Sequence, residues 1–129
     1  MTEMKNEPVS VTLTYKEYIV RIHRGTINAL NDPKYIRMLF NPKNCLFAVQ
    51  SVEVKDGEAF QVPADDPDKE WRFRIHSKNM VDIIYGIMQW NKEFAYRING
   101  EIKSDYHLAE FDLMNAFPIE SPKEEPSDD

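Results

Sequence analysis

Val20-Arg21-Ile22-His23 returns 53 positions later as Phe73-Arg74-Ile75-His76, and each phrase is followed by a helix-like apolar pattern and then by a Phe-Ala pair, Phe47-Ala48 and Phe94-Ala95. The echo reads as an internal duplication. A unit of strand, helix and two strands cannot close a core alone, so it buries its apolar face against its own copy. From His23 to Phe47 is 24 positions and from His76 to Phe94 is 18, so the first helical region carries six extra residues, which fall at Asn31-Asp32-Pro33.

Working outward, Val9, Val11 and Leu13 alternate with Ser10, Thr12 and Thr14 in the period of two of a half-buried strand, and Tyr18 to His23 is its hairpin partner. Gly25-Thr26 opens a helix carrying Ile27 and Leu30. At Asn31-Asp32-Pro33 an N-cap residue precedes a proline, so the helix is expected to restart with Tyr35, Ile36, Leu39 and Phe40 on one face and to end at Asn41-Pro42. Cys45 to Val54 reads as the next strand, with Cys45 a small packed residue rather than a catalytic thiol. Asp56-Gly57 signals a tight hairpin that sets Glu53 opposite Phe60 and Ser51 opposite Val62, placing Phe47, Val49, Phe60 and Val62 on one face.

After the acidic loop Pro63 to Glu70, Trp71, Phe73 and Ile75 alternate with Arg72, Arg74 and His76. Ser77 caps a helix whose Met80, Ile83, Ile84, Ile87 and Met88 form one apolar stripe. Phe94, Tyr96 and Ile98 lead to a turn at Asn99-Gly100, and a last strand turns Ala109, Phe111 and Leu113 to the core. A bulge or longer loop near Ser104-Asp105 keeps Glu101 and Lys103 out of that core.

The expected fold is α+β: internally duplicated strand-helix-strand-strand units forming a mainly antiparallel sheet with the helices on one face. One domain over residues 9–117 is flanked by a flexible stretch over 1–8 and a disordered acidic tail over 118–129. The composition, 42% hydrophobic, 12% aromatic and 29% charged, is that of an ordinary globular chain. Glu120 to Asp129 holds five acids and Lys123, which leaves Met1 to Ile119 at −2 out of a total of −6. No apolar run matches a membrane span or a secretory signal, and the single Cys45 suits a reducing compartment, so a bacterial-type cytoplasmic protein is expected.

A strand followed by Leu30-Asn31-Asp32-Pro33-Lys34-Tyr35-Ile36 and then Asn41-Pro42 resembles a group of small uncharacterised proteins of clostridial-type bacteria, a likeness that brings no activity with it. At the level of architecture, the duplicated unit over Val9 to Leu113 resembles the halves of the TATA-binding protein and the repeats of sliding DNA clamps. That likeness includes no diagnostic motif, and no DNA-contacting residue is carried over from it.

The chemistry is sparse. Gly25, Gly57, Gly86 and Gly100 build no phosphate loop, no nucleophile motif occurs, and the three histidines lack the close spacing of zinc ligands, so neither a cofactor nor a metal is expected. What strand parity offers instead is a charged face. If Val20, Ile22, Trp71, Phe73, Ile75, Phe94 and Tyr96 point to the helices, then Arg21, His23, Arg72, Arg74, His76 and Arg97 share the other side. Thr12, Thr14 and Gln50 join them, and Ala48 and Ala95 leave room for a flat partner.

Such a face suits an anionic partner: a nucleic-acid backbone, an acidic protein segment, or the chain's own acidic tail folding back. The competing reading is a solvated sheet whose arginines pair with nearby acids. Few base-stacking aromatics are on that face, which disfavours recognition of single strands by stacking. A non-enzymatic binding or regulatory module is therefore expected, with a small hydrolase or transferase assembled between the repeats as the alternative. Tyr85, Met88 and Trp90 offer a rival surface, and open sheet edges allow a homodimer.

Overall fold

Alternation of buried Val11 and Leu13 with Ser10, Thr12 and Thr14 makes β1 (Ser10–Thr14), which returns through a tight turn as β2 (Ile19–Ile22). The computed structural model describes residues 8–119, so all but residue 8 of the flexible stretch expected over 1–8, and all but residues 118 and 119 of the acidic tail expected over 118–129, lie outside the described residues. After β2 comes α1 (Arg24–Ala29), then β3 (Tyr35–Asn41), β4 (Leu46–Val52) and the two-residue β5 (Phe60–Gln61). The second half holds β6 (Arg74–His76), α2 (Lys78–Met88), β7 (Ala95–Lys103), β8 (Leu108–Asp112) and β9 (Phe117–Ile119). Strand pairing thus reaches Ile119, beyond the Phe117 boundary expected for the domain.

The protein is a mixed α+β structure. Its strands form one curled sheet in the order β5-β3-β4-β8-β7-β1-β2-β6, with β9 beside β7, and every pairing among the described residues is antiparallel. Strand, helix and hairpin follow one another twice, as β2-α1-β3-β4 and as β6-α2-β7-β8. Like elements of the two segments meet edge to edge: β2 pairs with β6, setting Arg21 opposite Arg74, and β4 pairs with β8. The two Phe-Ala pairs do not correspond, since Phe47-Ala48 lies within β4 whereas Phe94-Ala95 opens β7.

Three local expectations are overturned. Tyr35 to Asn41 is a strand rather than a second helical piece, because Asn31 (φ 68°) and Asp32 (φ 51°) take the left-handed conformation that ends α1, and all seven residues then pair with β4. Ile36, Met38 and Phe40 face the core, a period of two that a short apolar run shares with a helix. Asp56 does make a turn, accepting from the Glu58 N–H at 2.9 Å, but β5 returns to the far edge of β3 instead of pairing with β4. The free edge of β4 is already taken by β8. Phe60 and Val62 still pack on the core that buries Phe47 and Val49.

Finally, β7 runs straight through Asn99-Gly100. Asn99 pairs with Ser10 of β1 and Gly100 with Phe111 of β8, so the strand passes at this point from one half of the sheet to the other. The reversal comes later, in a short helical turn over Ser104–Tyr106 with His107 left-handed, close to the expected irregularity at Ser104-Asp105. Cys45 ends the turn before β4 with φ 55° rather than opening the strand.

Both helices feed a single core with the inner sheet residues: Ile27 and Leu30 from the α1 region, and Val81, Ile84 and Tyr85 from α2. Ser77 caps α2 by accepting from the Met80 N–H at 3.3 Å, as its sequence suggests. The helix is rotated relative to the expected stripe, however, and leaves Ile83 51% and Ile87 46% exposed. Tyr85 explains the rotation. Its hydroxyl donates towards the Leu13 and Phe94 carbonyls at 3.1 and 2.6 Å, and its ring packs against Tyr15, Trp90 and Tyr96. Tyr85 and Trp90 therefore complete the core rather than offer a partner surface.

Candidate anion-binding face

Because Val11, Leu13, Val20, Ile22, Ile75 and Ile98 fill the core, the residues between them on β1, β2, β6 and β7 point outward. Register then decides who meets whom. Arg97 of β7 lies opposite Thr12 of β1, Thr12 opposite Arg21 of β2, and Arg21 opposite Arg74 of β6. Three arginines thus occupy one row across four strands, with strand spacings of about 4.8 Å between neighbours. Phe117 of β9 continues the row beyond Arg97.

His23 and Arg72 come to the same side one pair along, where the His23 N–H meets the Ser10 carbonyl at 3.3 Å and the Ile22 N–H meets the Phe73 carbonyl at 3.0 Å. His76 flanks the row on its other side, at the edge strand β6 and opposite Ile19. The structure therefore gathers Arg21, His23, Arg72, Arg74, His76 and Arg97 on one outer surface. Thr14 stays with them, whereas Ala48 and Gln50 lie on β4, in the other half of the sheet, where Gln50 donates to the Tyr106 carbonyl at 3.1 Å.

The electrostatics of this surface are one-sided. Arg72 pairs with Glu70 at 3.1 Å across two exposed side chains, a contact worth little. Arg21, Arg74 and Arg97 have no ion pair among the described residues. Burial pushes the Arg21 pKa below the usual guanidinium value, and the charges of Arg74 and Arg72 push it further. His23 is lowered from 6.5 to about 4, first by burial and then by Arg97 and Arg21. It is therefore neutral near pH 7, with Nε2 2.8 Å from the Thr12 hydroxyl.

No family model matches the chain, and no curated protein or solved structure matches it. Function has to be argued from the geometry. Among the described residues no cluster of three His, Cys, Asp or Glu side chains is placed to hold a metal ion, and no helix is long and apolar enough to cross a membrane.

Two further residues belong to this surface: Arg24, which strand parity did not reach, and Ser10, which shares the parity of Thr12 and Thr14 on β1. Arg24, the first residue of α1, stacks over Trp71 with its guanidinium carbon 5.2 Å from the ring and also pairs with Asp65. Ser10, fully buried, accepts from Arg97 through its hydroxyl at 3.2 Å. Parity describes what alternates along a strand. Arg24 lies past the end of β2, and its adjacency to His23 was the sequence signal for it.

His23 also predicts a pH dependence. Its folded pKa lies below its unfolded one, so the unfolded chain binds more protons between pH 6.5 and about 4. Stability is therefore complete above pH 6.5 and is lost as the pH falls towards 4. The loss is about 1 to 2 kcal/mol once the partial exposure of the ring is allowed for. Urea midpoints followed from pH 7 to pH 4 should show this slope in the parent protein and a flatter one in His23→Gln. Parallel slopes in the two proteins would contradict the assignment.

Proposed function

We propose that the chain is a non-enzymatic binding module that docks an anionic partner, a nucleic-acid backbone or an acidic protein segment, on the outer face of β7, β1, β2 and β6. The observation that carries this reading is the unpaired state of Arg21, Arg74 and Arg97 among the described residues. Like charges placed directly opposite on neighbouring strands destabilise a sheet, and among the described residues no carboxylate forms an ion pair with Arg21 or Arg74, Glu70 acting on Arg21 only from a distance. An external anion supplies that missing charge. The guanidinium fork suits phosphate and carboxylate equally, so the partner class is a question for experiment.

The matching element order of β2-α1-β3-β4 and β6-α2-β7-β8 supports reading the two segments as copies of one unit, with the arginine pair at the line where they meet. On that view, duplication is what brought two equivalent arginines face to face.

A mobility-shift series with short single- and double-stranded nucleic acids, run at rising salt, tests the nucleic-acid form. Each phosphate neutralised should contribute about 0.7 to 0.9 to the slope of log affinity against log salt, so three arginines give a slope of roughly −2 to −3. A poly-glutamate peptide run in parallel reads out the acidic-segment form. Absence of binding to both at low salt would refute the proposal.

A further inference from the structure

Below the arginine row the outer face deepens into a cavity of about 300 Å³, where β2 gives way to α1 and the chain enters β6. Its walls include Arg21, His23, Arg24, Arg72, Arg97 and Trp71, and among the described residues no acidic side chain lines it. We infer that this cavity is a binding site for a terminal phosphoryl group, the dianionic end of a phosphate ester. It shares Arg21, His23, Arg72 and Arg97 with the extended face and rests on that reading to this extent, but Arg74 does not line it.

The positions of the charges separate this cavity from an ordinary basic surface. Arg97 is anchored on the buried Ser10 hydroxyl. Arg24 is held over the Trp71 ring, and the indole N–H is itself fixed on the Pro63 carbonyl at 3.0 Å. Two of the four guanidinium groups are thus placed before any ligand arrives, which lowers the entropy lost on binding. The acids that pair with Arg24 and Arg72, namely Asp65 and Glu70, stand outside the cavity wall.

Ligand charge and shape select the phosphoryl group. A carboxylate brings one negative charge and two oxygens, enough for one or two guanidinium forks. A phosphate monoester brings about −1.5 to −2 and three terminal oxygens, which matches a site with four forks from three parts of the chain. The volume is roughly ten times the ~30 Å³ share of a water molecule, so the first atoms of the esterified body fit beside Trp71. Trp71 and Arg24 also line a neighbouring cavity of about 450 Å³ that includes Pro33 and Tyr35, which gives a larger body somewhere to go.

Calorimetric titration with phenyl phosphate and with benzoate compares the two head groups on one ring. Phenyl phosphate should bind at least ~10-fold more tightly, and Arg97→Gln and Arg21→Gln should each weaken it by about 10-fold. Arg74→Ala should leave phenyl phosphate within about 2-fold while weakening nucleic acid or poly-glutamate, so the cavity and the extended face fail separately. Saturating phenyl phosphate should also raise the His23 titration midpoint from about 4, read by NMR.

A short oligonucleotide with and without a 5′-phosphate distinguishes sources. Tighter binding of the phosphorylated strand supports a strand end as ligand. Equal binding of both, with phenyl phosphate still bound, supports a small ester. Benzoate binding as tightly as phenyl phosphate, no loss in Arg97→Gln at an unchanged urea midpoint, or an equal loss in Arg74→Ala would each overturn the inference.

Discussion

Replacing Arg21 and Arg74 together by serine should weaken capture of a polyanion by roughly 100-fold at low salt while leaving the fold as stable as before or more so. The two effects have one origin. These residues sit directly opposite each other on β2 and β6, where their side chains share the outer surface without an ion-pair partner among the described residues. The Arg21 pKa is lowered first by burial and then by the charges of Arg74 and Arg72, with Glu70 opposing. Removing both charges relieves a repulsion worth a few tenths to about 1 kcal/mol, and this gain should shrink as salt screens it. Binding loses two charge-assisted contacts, each near the ~1.5 kcal/mol lower end that suits an exposed surface and together roughly 100-fold, and the salt slope should flatten by about 2. Urea midpoints at low and high salt, set beside the mobility-shift series, measure both sides. A double variant destabilised by more than about 1 kcal/mol would make the arginines structural residues instead of a docking row.

Exposed substitutions usually change stability by less than about 0.5 kcal/mol, so a gain on removing charge marks residues kept for something other than folding. The edges of the sheet fit the same view. The outermost strands, β5 and β6, have only two and three residues, and β6 carries Arg74 and His76, so the edge beside the arginine row is poorly suited to pairing with another strand.

Much of this surface could be read from the sequence, because it depends only on alternation. Once Val20, Ile22 and Ile75 are turned inward, Arg21 and Arg74 have nowhere to point but out. The cavity was less accessible. Arg24 lies just beyond the end of β2, where parity stops, and Trp71, which parity turned towards the helices, precedes β6 and meets Arg24 through a cation–ring contact at the outer cavity. Tyr35 to Asn41 misled for a different reason: Asn31-Asp32-Pro33 can begin a helix or end one, and the outcome turned on a pairing with β4 that no local pattern contains. The stripe on α2 held at Met80, Ile84 and Met88 but failed at Ile83 and Ile87, which look more apolar than Tyr85, yet Tyr85 can turn its hydroxyl to the backbone carbonyls of Leu13 and Phe94 while filling the core.

Asn99-Gly100 shows the same limit and gives the largest expected effect on stability. As a pair it has the composition of a tight turn, but none of the described glycines has positive φ, and Gly100 is needed for closeness instead of flexibility. A Cβ there would lie 2.5 and 2.7 Å from two ring carbons of Phe111 and closer still to the Glu110 carbonyl oxygen. Phe111 is fully buried, and Gly100 is tied by its own N–H to the Val9 carbonyl at 2.8 Å, so neither neighbour can retreat without breaking strand pairing. Gly100→Ala should therefore destabilise by about 3 kcal/mol, near the upper end of overpacking. Gly86 in α2 is the contrast, since a Cβ there meets nothing within 4 Å. Gly86→Ala should stabilise by about 0.5 to 1 kcal/mol through helix propensity alone. Urea unfolding of the two variants separates steric need from glycine content, and a Gly100→Ala protein within about 0.5 kcal/mol of the parent would show that β7 does not turn its corner against Phe111. The corner matters for binding because Arg97 lies only three residues before it, so the same backbone that joins the two half-sheets also holds one end of the arginine row.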